Sequence, residues 1–267
     1  MARPIWRGTI SFGLVSVPVR MYAATESKEL RFHFVDRRDL MPVGYEKVRR
    51  DNGKPVDPED VVRAFEIEKG RYVPIEPGDF DRLDVELTHS IDICDFVSLE
   101  EIDPIYLRQA YYLAPQEGGE KPYRLLERAL EETGRVGIAK VVIRNKQHLG
   151  CLRPSGGVLV LETMYYADEV RSPRELAPPE LDSVDVRKPE IEMAKALVEN
   201  LSSTFDPAKY DDRYREELLE LIRSKAEGQP LPERQEPEAE VVDLMEALRQ
   251  SVQKTARARR ARAKKAS

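Results

Sequence analysis

Catalysis and ligation need side chains that ionise, attack or coordinate, and this chain is rich in only one such kind. Its 267 residues include 49 Asp and Glu but only three His (His33, His89, His148) and two Cys (Cys94, Cys151). The histidines are far apart, show no metal-ligand spacing, and are read as structural or surface residues. The cysteines lack the paired spacing of a zinc site, so no metal is expected, and two are too few for a disulfide scaffold. The phosphate-loop pattern GxxxxGK, and GxGxxG, HExxH and GxSxG, do not occur. Glu26-Ser27-Lys28 has the E-x-K form of some nucleases, but so short a match arises by chance in a chain that is 34% charged. Among so many carboxylates, pairing any two as acid and base is arbitrary. The residues thus offer no catalytic constellation, and neither an enzymatic activity nor a cofactor is expected.

The cations are distributed less evenly than the formal net charge of −6 suggests. Residues 1–54 hold eleven Lys and Arg against six acids, residues 133–160 five against none, and residues 249–267 eight against none. Residues 55–132 reverse the balance, with eight cations against twenty acids. An acidic protein repels phosphate on average, yet charge acts locally, and one face collecting the basic segments of the body would attract DNA. Arg31, Arg37, Arg38, Lys47, Arg49, Arg50 and Lys54 form the first group. On a strand from Val136, alternation sends Lys140 and Arg144 to one side, with Lys146 continuing that side into the turn. Solvation of an ordinary surface is the competing reading of both groups.

These groups need a scaffold, and the hydrophobic pattern supplies one. Trp6, Ile10 and Phe12 alternate with polar neighbours; after Gly13 a second alternating run holds Val15, Val17, Val19 and Met21, which predicts a hairpin. Further strands are expected over residues 31–36, 44–49, 71–75, 89–98, 110–114, 136–144 and 158–164. Many short strands with few helices suggest an antiparallel barrel or sandwich, mainly β with some α. Helices are expected over residues 57–65, with Asp57 as cap, and 121–133, ended by Gly134. After Pro189 the period becomes helical: Ile191, Ala194, Val198, Leu201 and Phe205 draw an apolar seam. A second helix, opened by Asp206-Pro207 and ended by Gly228, carries Tyr210, Tyr214, Leu218, Leu221 and Ile222. The two helices could pack on their own domain or on another subunit. Residues 228–238 read as an acidic, proline-rich linker. Val241, Met245 and Leu248 then fall on one stripe of a short helix suited to docking a partner, and Arg257, Arg259, Arg260, Arg262, Lys264 and Lys265 form a basic tail. No apolar run approaches the roughly 18 residues of a membrane span. Residues 1–6 lack a signal core, so a cytoplasmic location is expected.

The run IWRGTISFGLVSVPVRMY from Ile5 resembles the opening of bacterial Ku proteins, the DNA-end-binding factors of non-homologous end joining. RFHFVD from Arg31, Phe96-Val97 before Ile102-Asp103-Pro104, YYLAP from Tyr111, YRLLERALEETGRVGIAKVVIRNK from Tyr123 and LRP from Leu152 follow in the order of that family. The resemblance covers roughly residues 3–227. It implies a β-barrel core with an inserted arch (residues 1–188), a helical dimerisation arm (189–227) and a variable tail (228–267). It also implies a ring-shaped homodimer around double-stranded DNA that protects broken ends, recruits a multidomain ATP-dependent DNA ligase and has no enzymatic activity of its own. On that reading both cation groups line the channel without reading bases, while Ile191, Val198, Leu201, Tyr210, Tyr214 and Leu218 form the dimer interface. Many relatives carry a Cys-x-x-Cys pair where Arg49 and Asn52 stand here, so a bound zinc is not expected.

Overall fold

A computed structural model describes residues 3–80, 89–144, 146–176, 184–228 and 251–253. Its centre is a closed barrel of seven strands: β1 (Trp6–Phe12), β2 (Val15–Ala23), β5 (Ser90–Ser98), β6 (Leu107–Pro115), β7 (Arg135–Ile143), β8 (Lys146–Ser155) and β9 (Val158–Met164). Around the barrel the order is β1-β2-β6-β9-β8-β7-β5. Every pairing is antiparallel except β1 with β5, which closes the ring in parallel through Thr9–Ser90, Ile10–Ile91 and Ser11–Asp92. Closure removes the free edges that an open sheet would expose.

The expected alternation fills the barrel. Ile10, Val17, Val19, Met21, Ile91, Leu113, Leu152, Leu159 and Leu161 are fully buried and form one core. Helix α2 (Glu120–Thr133) runs between the end of β6 and the start of β7 and covers that end of the barrel with Tyr123, Leu126 and Leu130. The Tyr123 hydroxyl donates to the Leu113 carbonyl at 2.7 Å and accepts from the Leu159 amide at 2.7 Å, tying the helix to β6 and β9. Gly134, at φ 63, stops the helix as expected. At the other end β5 starts late, so Trp6 spans the gap and its indole Nε1 donates to the Val142 carbonyl of β7 at 3.1 Å. The chain returns so close there that a Cβ on Gly8 would lie 2.0 Å from the His89 carbonyl oxygen.

Between β2 and β5 the chain makes an insertion of another kind. A lone hairpin, β3 (Arg63–Glu68) with β4 (Arg71–Ile75), is exposed along almost all its length and is followed by a single helical turn, α1 (Pro77–Phe80). Residues 31–36 and 44–49 are not strands: only the isolated bridges Val35–Pro42 and Val48–Pro55 form there, because no neighbouring strand completes a ladder. The helix expected over residues 57–65 is also corrected. Asp57 does cap, accepting from the Glu59 amide, but it opens only the 3-10 turn Pro58–Asp60. The β-branched Val61 and Val62 then lead into β3. Strand β8 was not expected as a separate strand.

Chain contacts divide the molecule into residues 1–172 and 173–267. In the second unit, α3 (Lys188–Leu201) and α4 (Arg213–Ala226) bury no residue. The second helix starts later than expected. Asp206-Pro207 opens a 3-10 turn, Pro207–Lys209, and Asp212 caps α4 by accepting from the Arg215 amide.

Candidate nucleic-acid interface

The insertion presents its cations on short, turn-bonded loops. The Leu40 amide donates to Asp36 O at 2.8 Å and the Asp36 amide to Met41 O at 2.9 Å, closing the turn that holds Arg37 and Arg38. The Arg49 amide donates to Lys54 O at 2.8 Å and the Val56 amide to Lys47 O at 2.8 Å, so Lys47, Arg49, Arg50 and Lys54 share one loop. Arg31 and all six of these residues are exposed. Two are locally neutralised. Arg38 pairs with Asp36 at 2.5 Å and Arg49 with Asp51 at 2.8 Å. The Arg38 guanidinium holds the Asp36 carboxyl below the usual range, chiefly by hydrogen bonding, and Arg49 does the same to Asp51. Among the described residues, Arg31, Arg37, Lys47, Arg50 and Lys54 have no carboxylate within salt-bridge distance.

The second group divides. Lys140 is exposed on β7, where its cross-strand neighbours are Asp92 on β5 and Leu149 on β8. Arg144 has left the strand for a left-handed turn conformation at φ 50, and Lys146 opens β8 and reaches Glu169 at 3.4 Å. Arg144 and Lys146 line a cleft of about 700 Å³ at the end of the barrel away from α2, whereas Lys140 does not. The cleft adds two residues that sequence reasoning missed, Arg108 on β6 and His148 on β8. Arg108 lies over the Tyr165 ring, 5.4 Å from its centroid. His148 is half-buried; burial, then Lys146 and Arg108, push its imidazole below its ordinary pKa. Nothing local distinguishes Arg108, which lies in the acidic stretch; only the sheet order β6-β9-β8 brings it near the β7–β8 turn.

Of the seam residues, Ile191, Val198, Leu201, Tyr210 and Tyr214 are exposed and Leu218 is half-buried. Phe205 and Tyr210 stack at 6.0 Å. Val241, Met245, Leu248 and the tail cations Arg257, Arg259, Arg260, Arg262, Lys264 and Lys265 lie outside the described residues. Cys94 is exposed and Cys151 buried. Among the described residues no His, Cys, Asp and Glu cluster could hold a metal ion, and no helix is long and apolar enough to cross a membrane.

A closed barrel with a long, cation-bearing insertion between its second and third barrel strands defines the class: a seven-stranded β-barrel protein with an inserted segment. The chain belongs to the Ku family. Residues 11–196 match the family model described as the Ku70/Ku80 beta-barrel domain. The non-homologous end joining protein Ku of Symbiobacterium thermophilum is 47% identical over 97% of this chain, which spans 64% of that protein's length. The protein of the same name from Opitutus terrae is 42% identical over 95% of this chain and 92% of its own. That of Bacillus subtilis is 39% identical over 96% of this chain and 83% of its own.

Proposed function

We propose that this protein binds the ends of double-stranded DNA as a ring-shaped homodimer in non-homologous end joining, independently of sequence and without catalysis of its own. It protects broken ends in the cytoplasm, at the nucleoid, and recruits a multidomain ATP-dependent DNA ligase. The observation that carries this reading is the insertion of a Ku-family barrel, whose exposed loops gather cations without a core of their own. Arg31, Arg37, Arg38, Lys47, Arg49, Arg50 and Lys54, with Lys140, Arg144 and Lys146, meet phosphates, and phosphate contacts carry no base information. The seam from Ile191 to Leu218 joins the two copies. Val241, Met245 and Leu248 serve as the partner-docking stripe, and the basic tail adds affinity.

Salt tests the electrostatics. With six to ten phosphates engaged, affinity for a linear duplex falls by about 10³ to 10⁵ between 50 and 200 mM salt, alike for unrelated sequences. A flat salt response contradicts the proposal, as does magnesium-dependent degradation of the duplex.

A further inference from the structure

The open end of the barrel has more positive charge than folding requires. Arg108 from β6, Arg144 from the turn after β7, and Lys146 and His148 from β8 line one cleft of about 700 Å³. Among the cleft's lining residues one is a carboxylate, Glu26, and it pairs with Lys28 at 2.6 Å. Glu169 reaches Lys146 at 3.4 Å and is itself fixed by accepting from the Tyr166 amide at 2.9 Å. Arg144 has no carboxylate partner among the described residues. Like charges drawn together without an anion repel one another, and Arg144 also holds a left-handed φ of 50 that a non-glycine residue rarely adopts. The surroundings are prearranged. Gln109 Nε2 donates to Thr25 Oγ1 at 2.7 Å, pinning the loop after β2 against β6, and Tyr165 supports the Arg108 guanidinium from below. Barrel mouths are common ligand sites, and fixed cations with a half-buried imidazole beside them suit a small, multiply charged oxyanion.

We propose that the barrel mouth is a phosphate-binding site, with Arg108, Arg144 and Lys146 as its cationic donors and His148 as a fourth. The site stands on the cleft alone. That its phosphate is the terminal phosphate of a DNA end, and not that of a free phosphorylated metabolite, rests on the end-binding reading above.

The test uses the full chain and inorganic phosphate at pH 6.5, following the His148 ring signals by NMR. Phosphate is expected to move them saturably toward the imidazolium position, because a bound anion favours the charged ring. Arg144→Asn combined with Lys146→Gln keeps a residue that accepts the left-handed turn and is expected to weaken phosphate binding by at least roughly tenfold. Arg108→Gln, on a different strand, provides a second variant with the same expected direction. Displacement of phosphate by a 5′-phosphorylated duplex but not by its 5′-hydroxyl counterpart assigns the site to DNA termini; displacement by both assigns it to backbone phosphates and overturns the terminal assignment; displacement by neither assigns it to a free phosphate compound. All three results support the site. No saturable shift, or saturation unchanged in both variants, overturns it. If phosphate binds and linear DNA does not, the end-binding reading fails and the site survives; the converse separates them the other way.

Discussion

At the scale of single residues, the barrel depends on positions where one atom more or less is felt. A Cβ on Gly8 would press on backbone, the His89 carbonyl at 2.0 Å, as well as on the Trp6 ring at 2.3 Å. Gly8→Ala is therefore expected to destabilise the fold by about 1–3 kcal/mol, measured by denaturant unfolding. Tyr123→Phe removes the hydroxyl that serves both Leu113 and Leu159, at a cost of about 1–3 kcal/mol. High pH tests the core differently. Burial pushes the Cys151 thiol up to about 11. The unfolded chain loses this proton first, near the ordinary thiol value, so the contribution is complete below that value and is lost as pH rises toward 11. Tyr123 is also raised by burial and acts in the same direction. The melting temperature should fall over this range, and Cys151→Ala should flatten the fall. On the insertion, Arg50 and Lys54, unlike Arg38 and Arg49, have no ion-pair partner among the described residues. Replacing both with Ala removes four cations from the proposed homodimer and should reduce the salt slope of DNA binding by about 4 for every sequence. An unchanged slope would remove them from the interface.

At the scale of elements, legibility followed locality. The hairpin of β1 and β2, strands β7 and β9, and helix α2 were readable because alternation or a glycine stop is written in neighbouring residues. Strand β8 was not, since Gly150, Cys151 and Leu152 are buried in succession and break the period. The insertion misled in both directions. Residues 31–36 alternate but find no partner strand, and Asp57-Pro58 has the chemistry of a helix start before a β-branched run that cannot sustain one. Lys140 and Arg144 were expected on one face, but the turn at φ 50 sends Arg144 to the barrel mouth and leaves Lys140 opposite Asp92. The cleft was the least legible feature, because Arg108 and Lys146 share it only through the intervening strand β9. In the second unit the helices were legible, because a three- and four-residue apolar spacing is written in neighbouring residues. Val198 is 66% exposed and Tyr214 76%, an unfavourable state for a free helix pair. Val198→Asp is expected to convert the proposed homodimer to monomers in sedimentation equilibrium while leaving the barrel's unfolding transition in place. A dimer that persists would exclude the seam as the interface.

At the scale of the whole molecule, charge is partitioned, not balanced. The chain is acidic in sum, yet it sets apart basic loops in the first half of the insertion, a basic barrel mouth and a basic tail. On the proposed reading, in which the tail supplies charge and a ring supplies topology, removing residues 254–267 should lower affinity and the salt slope and leave the preference for ends intact. A closed loop passes over a terminus but cannot pass onto a duplex that has none. The most direct measurement compares linear duplex with a covalently closed circle of the same sequence and length, at one salt concentration. Tight binding to the linear form with little to the circle is the predicted result; equal affinity for the two would contradict end selection by a ring.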